Sequence, residues 1–222
     1  MVTLSPRLFA VAKLVRQGAI LADIGCDHGF LPVYLLQNGI IKSAVASDIN
    51  RGPLSSCEKL VIKEGLQNCV SLVLSDGLRS IDCNSYTDIT FCGMGGELIS
   101  SILNASKEHF SPDKHYIFNP MTHPEILRKY LCDNGFEICS DFIVREQNHY
   151  YNVFDAYYTG KIKKYDESYY FLGNITDFTH KEYFTHLLNH LENKMKGGTD
   201  YSSVITLSLI HISEPTRPLY IS

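Results

Sequence analysis

The sequence predicts an α/β fold: a parallel five-stranded sheet covered by helices and closed by an antiparallel hairpin. Three observations carry this. Five short apolar runs alternate with helical patterns between residues 19 and 134, the pattern of a parallel sheet with helices on both faces. Each run ends in polar or glycine-rich residues, at the strand end where open parallel sheets bind ligands. Two β-rich runs then follow, joined by Glu146-Gln147-Asn148-His149, a link short enough for an antiparallel hairpin.

The elements follow in order. Residues 1–18 read as one helix started by Ser5-Pro6, with Leu8, Val11, Ala12, Leu14 and Val15 on its apolar side and Arg7, Lys13 and Arg16 elsewhere. Ala19-Ile20-Leu21-Ala22-Asp23 is a buried strand that passes through Ile24-Gly25-Cys26-Asp27-His28-Gly29 into a helical pattern from Phe30 to Leu36. The second strand is Ser43-Ala44-Val45-Ala46-Ser47-Asp48; Pro53 suits the first turn of the next helix, which stops at Gly65. The third strand, Val70-Ser71-Leu72-Val73-Leu74, ends in Ser75-Asp76-Gly77. The fourth, Asp88-Ile89-Thr90-Phe91-Cys92, ends in Gly93-Met94-Gly95-Gly96. The fifth, His115-Tyr116-Ile117-Phe118, ends in Asn119-Pro120. A helix over 124–134, closed by Gly135, leads to hairpin strands over 136–145 and 150–158.

Charge constrains what the loops bind. A dinucleotide pyrophosphate requires G-x-G-x-x-G opening onto a helix N-terminus. The first loop keeps only Gly25 and Gly29 and sets Asp23 and Asp27 where phosphates would be repelled. That disfavours a nicotinamide dehydrogenase. It suits a cationic or zwitterionic ligand with an adenosine part, and S-adenosylmethionine fits. Asp48, at the second strand end, is placed to accept from ribose hydroxyls. An acid at the end of a buried strand is costly unless paired, so Asp23 and Asp48 are expected to contact the cofactor.

Taken together, Asp23-Ile24-Gly25-Cys26-Asp27-His28, Asp48-Ile49-Asn50-Arg51-Gly52-Pro53, Asp76-Gly77 and Gly93-Met94-Gly95-Gly96-Glu97-Leu98-Ile99 resemble the bacterial tRNA (adenine-22-N1)-methyltransferase family. The resemblance runs from about Leu4 to Gly160 and weakly beyond. It implies a Rossmann-like, seven-stranded methyltransferase sheet, S-adenosylmethionine as cofactor, tRNA as partner, and methyl transfer to N1 of adenine 22. It also implies a C-terminal helical, coiled-coil-like extension. The chain departs from the family at Asn119-Pro120, where glutamine is expected before the proline; asparagine keeps the amide.

The reaction sets modest demands. N1 of adenine owns a lone pair, so alignment with the methyl carbon does most of the work. The methylated base becomes cationic, so acceptors around its edge stabilise the transition state. The expected catalytic set is Asp27, His28 and Asn119, although Asp27 can equally be read as a helix cap, His28 as a structural histidine and Asn119 as the start of a turn. The expected cofactor set is Asp23, Gly25, Asp48, Ile49, Asp76, Gly77 and Gly93, with Asp76 accepting from the adenine amine or simply forming an Asp-Gly turn. Met94 and Gly95 let the target base approach the backbone, unless that loop is only a strand–helix turn. Arg7, Arg16 and Arg51 are expected phosphate contacts, with Lys13 and Arg79 as lesser candidates. His186 and His190 lie one helical turn apart without a third ligand, and Cys92 reads as a buried apolar cysteine; no metal is expected.

Composition bounds the remainder. The net charge of −4 does not mark a nucleic-acid binder, so RNA contact requires a local basic patch. A methyltransferase acting on a small molecule or protein, and a non-catalytic module binding cofactor or RNA, stay open on these grounds. Seven cysteines without C-x-x-C pairs read as reduced thiols, and Cys69 and Cys92 fall in expected strands. No apolar run approaches a membrane span and no secretory start is present, so a cytoplasmic monomer is expected. Residues 1–160 are expected to form the cofactor-binding domain and 161–206 an incomplete helical extension. Over 179–196, Tyr183, Phe184, Leu187, Leu188, Leu191 and Met195 make an apolar stripe expected to lack a returning helix and stay partly exposed. Residues 207–222 resemble the translation of a sequencing adapter, and the natural chain is expected to continue differently after Thr206.

Overall fold

The structure is a computed structural model that describes residues 2–175, 180–195, 201–202 and 204–206. In chain order the elements are α1 (Pro6–Leu14), β1 (Ala19–Ile24), α2 (Phe30–Gln37), β2 (Ile41–Asp48), α3 (Arg51–Lys63), β3 (Val70–Leu74), β4 (Asp88–Cys92), α4 (Gly96–Asn104), β5 (His115–Asn119), α5 (Pro124–Asp133), β6 (Phe136–Glu146), β7 (His149–Tyr158), α6 (Glu167–Leu172) and α7 (Lys181–Met195). The strands form one sheet in the order β3-β2-β1-β4-β5-β7-β6. The first five run parallel, and β7 is antiparallel to both neighbours. The order reverses between β1 and β4, which leaves a crevice at the carboxyl ends of these strands.

Every residue of β4 and β5 is buried, as expected for central strands covered on both faces. One face packs Phe91, Phe118 and Phe154 with Leu127 and Leu131 of α5. The other packs Leu21, Ile117 and Val153 beneath Val11 and Val15 at the α1 side. The opening helix is shorter than the sequence suggests, because Val15 already takes an extended conformation. Cys69 precedes β3 instead of lying in it; its N–H donates to Leu66 in a tight turn.

The carboxy-terminal stripe is also better covered than expected. Phe184, Leu188 and Leu191 are buried. Phe184 and Leu191 pack with Ile143 of β6, Phe171 and Leu172 of α6, and Val204. The hairpin edge, α6 and the helical residues around Val204 together supply its apolar cover. Residues 179, 196 and 207–222 lie outside the described residues, so the adapter-like stretch has no structural account. A buried ion pair ties α5, β6 and α6 together: Arg128 donates to both carboxylate oxygens of Asp141 at 2.8 and 2.9 Å and to the carbonyls of Tyr170 and Phe171.

At the amino end of β4 and β5 lies a second buried network. Arg16 donates through Nε to Asp88 Oδ1 at 2.8 Å, and His115 sits between Asp155 (2.6 Å) and Asp88 (3.4 Å) with its ring stacked on Tyr157. Burial works against the His115 imidazolium, but the hydrogen bonds to Asp155 and Asp88 outweigh it and hold its pKa above the ordinary value. Burial likewise opposes the two carboxylates, yet their bonds to His115, Arg16 and Ser140 hold both below the usual range. The signs follow from linkage. The imidazolium contribution is full below its unfolded value, roughly 6.5, and is lost as pH rises through the raised folded value. The carboxylate contribution is full above about 4 and is lost on acidification. Relative to His115→Gln, the wild type should therefore have its largest advantage at about pH 5–6 and lose it as pH rises through the raised folded value of the imidazole. Urea midpoints across this range test the network; a constant difference would show that His115 does not titrate there.

Candidate active site

The crevice holds a cavity of about 460 Å³ at the carboxyl ends of β1, β2, β3 and β4. Its floor is built by the turn after β1. The N–H groups of Gly25 and Cys26 both donate to the Ser47 carbonyl at 2.9 Å, which draws the turn across the end of β2. Gly25 has φ +72°, a conformation that favours glycine, and a Cβ there would press on Met94 Cε at 3.3 Å. Asp27 follows with φ +50°, an uncommon conformation for a residue with a side chain. It does not cap α2. The N-cap is Gly29, without a side-chain hydrogen bond. The Asp27 carboxylate is instead 73 % exposed on the cleft wall, with His28 Nε2 at 3.5 Å.

The acids differ in environment. Asp23 is buried and accepts from Thr90 Oγ1 at 2.7 Å. Burial pushes its carboxyl up to about 6; the Thr90 bond opposes the shift and the Asp27 charge adds to it. Beside it, Ser47 Oγ is buried and has no partner within the protein. Asp48 accepts the Asn50 N–H at 2.8 Å, which fixes the turn into α3. Asp76 pairs with Arg79 at 2.9 Å in the open, so Arg79 bears on an acid of the cleft. Exposed apolar side chains surround the mouth: Phe30, Ile49, Leu98 and Met121.

The structure brings most of the expected residues to one place. Asp23, Gly25, Asp27, His28, Asp48, Ile49, Asp76, Gly77, Gly93, Met94 and Arg7 all line the cavity. Four expected residues do not. Asn119 is fully buried behind the wall, where Oδ1 accepts from Arg7 Nη1 at 3.2 Å and Nδ2 donates to the Asn152 carbonyl. It positions Arg7 and does not line the cavity. Arg16 lies at the opposite end of the sheet, because buried Asp88 needs its charge, and so is not a contact for substrate in the cleft. Arg51 is exposed at the start of α3, and Gly95 is the N-cap of α4; neither lines the cavity. Ser47, Phe30, Leu98, Ile102 and Met121 were not anticipated. Only Ser47 left a trace, as a hydroxyl one residue before the end of an apolar strand.

A sheet of this order, with acids closing successive parallel strands around one cleft, defines a Rossmann-like methyltransferase architecture. The chain belongs to the methyltransferase domain family, whose profile matches residues 4–154. Within it, the chain is 36 % identical over 153 residues to the tRNA (adenine(22)-N(1))-methyltransferase of Bacillus subtilis, a match that covers 69 % of this chain and 64 % of that protein. The crystal structure of B. subtilis TrmK, an m1A22 tRNA methyltransferase, superposes with a TM-score of 0.79 at 27 % identity, covering 97 % of both chains. A Streptococcus pneumoniae protein crystallised with S-adenosyl-L-methionine gives 0.80 at 29 % identity, covering 97 % of this chain and 100 % of that one.

If Asp48 accepts from a ribose, Asp48→Ala should weaken S-adenosylmethionine binding by roughly 1.5–3 kcal/mol, the scale of a hydrogen bond to a charged group. Titration calorimetry reads this directly. Unchanged affinity in a folded variant would remove the ribose role.

Proposed function

We propose that the chain transfers a methyl group from S-adenosylmethionine to N1 of adenine 22 in tRNA. The observation that carries this is the ring of carboxylates: Asp23, Asp48 and Asp76 close three neighbouring strands, while Asp27 and His28 stand at the open side of the same cleft. The residues suit the cofactor on physical grounds. Asp23 is a buried acid suited to a cationic amine, the orphaned Ser47 hydroxyl offers a further polar contact, and Ile49, Leu98 and Ile102 provide apolar wall for a purine. When bound, S-adenosylmethionine supplies a methyl group on a sulfonium leaving group.

The chain's own residues do the rest. Asp48 and Asp76 orient the nucleoside half, and the apolar rim excludes water from the acceptor base. Asp27 faces the positive charge that grows on the base, a contact that strengthens in the transition state. His28, 3.5 Å away, orients that carboxylate. Arg7, held by Asn119 and Glu146, meets the phosphate of the target nucleotide.

The cofactor domain spans 1–160, and 161–206 is a helical extension whose described residues pack on the hairpin. A cytoplasmic monomer belongs to this reading, and direct displacement from a sulfonium needs no metal. Among the described residues no helix is long and apolar enough to cross a membrane, and no group of three His, Cys, Asp or Glu side chains is arranged to hold a metal ion. Incubation with labelled S-adenosylmethionine and bulk bacterial tRNA, followed by nucleoside mapping, tests the reading. Label should appear as 1-methyladenosine at position 22. Absence of label in RNA with intact cofactor binding would favour a small-molecule or protein acceptor.

A further inference from the structure

We infer that the tip of the β6–β7 hairpin, where it meets α1 and α7, is the docking surface for the RNA sugar–phosphate backbone beside the cleft. This rests on the tRNA reading above. The placement comes from register. Phe154 of β7 pairs with Phe118 of β5, and β5 ends at Asn119. Residues 149–152 therefore run on beyond the sheet's carboxyl edge, by about 13 Å at the usual strand rise. The Asn119 side chain marks the point of departure by bonding the Asn152 carbonyl. The tip thus projects on the side of the sheet where the cavity opens.

Its two faces present the same chemistry. Arg145 pairs with Tyr150, and Glu146 pairs with His149; alternate residues of a strand point to opposite faces. On the α1 face, the Arg7 guanidinium lies 5.9 Å from the Tyr151 ring centre. On the α7 face, Arg145 lies 5.8 Å from the Tyr150 ring centre. Both local carboxylates are engaged. Glu146 accepts the Arg7 N–H, and Glu182 accepts from Tyr150 and lies 3.9 Å from Arg145. Arg145 nevertheless stays 54 % exposed, and His149 is exposed. The tip thus sets two guanidinium groups, one on each face, on a chain whose net charge is −4. Guanidinium groups beside partly exposed tyrosines suit phosphates and unstacked bases together. Arg7 belongs both to the cavity wall and to this surface, so a strand crossing the tip would lead its nucleotide into the cleft.

The test uses the full chain, bulk bacterial tRNA and the double variant Arg145→Gln/His149→Gln. Its tRNA affinity should fall about fivefold or more, and the salt dependence of binding should flatten by about one unit of slope for each phosphate no longer neutralised. Arg145→Lys should keep most of that slope. S-adenosylmethionine affinity and melting temperature should be unchanged. A folded double variant with wild-type tRNA affinity and slope overturns the assignment and leaves the tip to a protein partner or to solvent. A wild-type protein that binds cofactor but no tRNA overturns the tRNA reading itself, and the docking surface with it.

Discussion

Arg128→Ala should destabilise the protein by about 3–5 kcal/mol, the scale for stranding one member of a buried ion pair. Arg128 and Asp141 are both fully buried side chains joined by two hydrogen bonds, and Arg128 also donates to two carbonyls of α6. Its removal leaves a carboxylate in the core and unties α6 from α5. Urea denaturation measures the loss. The double variant Arg128→Met/Asp141→Leu should recover much of it, because an apolar pair leaves no stranded charge. A single variant within about 1 kcal/mol of wild type would show that the carboxylate finds other relief. Gly173 shares the site: it has φ +66°, and a Cβ there would fall 1.9 Å from Asp141 Oδ2.

Asp27→Asn should lower methyl-transfer turnover by more than about tenfold while changing cofactor and tRNA affinity much less, the pattern of an interaction made chiefly in the transition state. The substitution is well matched to the backbone. Asparagine tolerates positive φ better than most residues, and Asp27 caps no helix. Stability should therefore be kept, and single-turnover kinetics isolate the chemical step. Normal turnover with a lowered melting temperature would reduce Asp27 to a conformational role.

The sheet was legible in the sequence because its central strands are buried on both faces and therefore appear as near-continuous apolar runs. Asp23, Asp48 and Asp76 were legible for a related reason: each is the polar residue at or just beyond the point where an apolar run stops. What escaped depends on partners distant along the chain. Arg7 meets Asn119 across 112 residues and Arg16 meets Asp88 across 72. No local pattern distinguishes one arginine of α1, turned to the cleft, from another just past its end that braces the far side of the sheet. The apolar rim escaped too, because Phe30 and Leu98 have ordinary helical spacing and only the packed fold leaves them uncovered. The stripe on α7 showed that a partner was needed but not which one; Ile143 and Phe171 come from segments with periods of their own.

The burial of Asp23 has a thermodynamic cost that falls on the stability of the fold itself. With its carboxyl raised from 3.8 to about 6, keeping it ionised at neutral pH costs roughly 3 kcal/mol of folding stability, at 1.36 kcal/mol per pKa unit. That cost is absent below about pH 4 and fully present above about 6. A ligand that brings a positive charge to this carboxylate lowers its pKa again. Capture then expels a proton near pH 6 and restores the stability that ionisation removed. A carboxyl with that value is half-titrated near pH 6, and a cationic ligand bound against it would stabilise the fold around it.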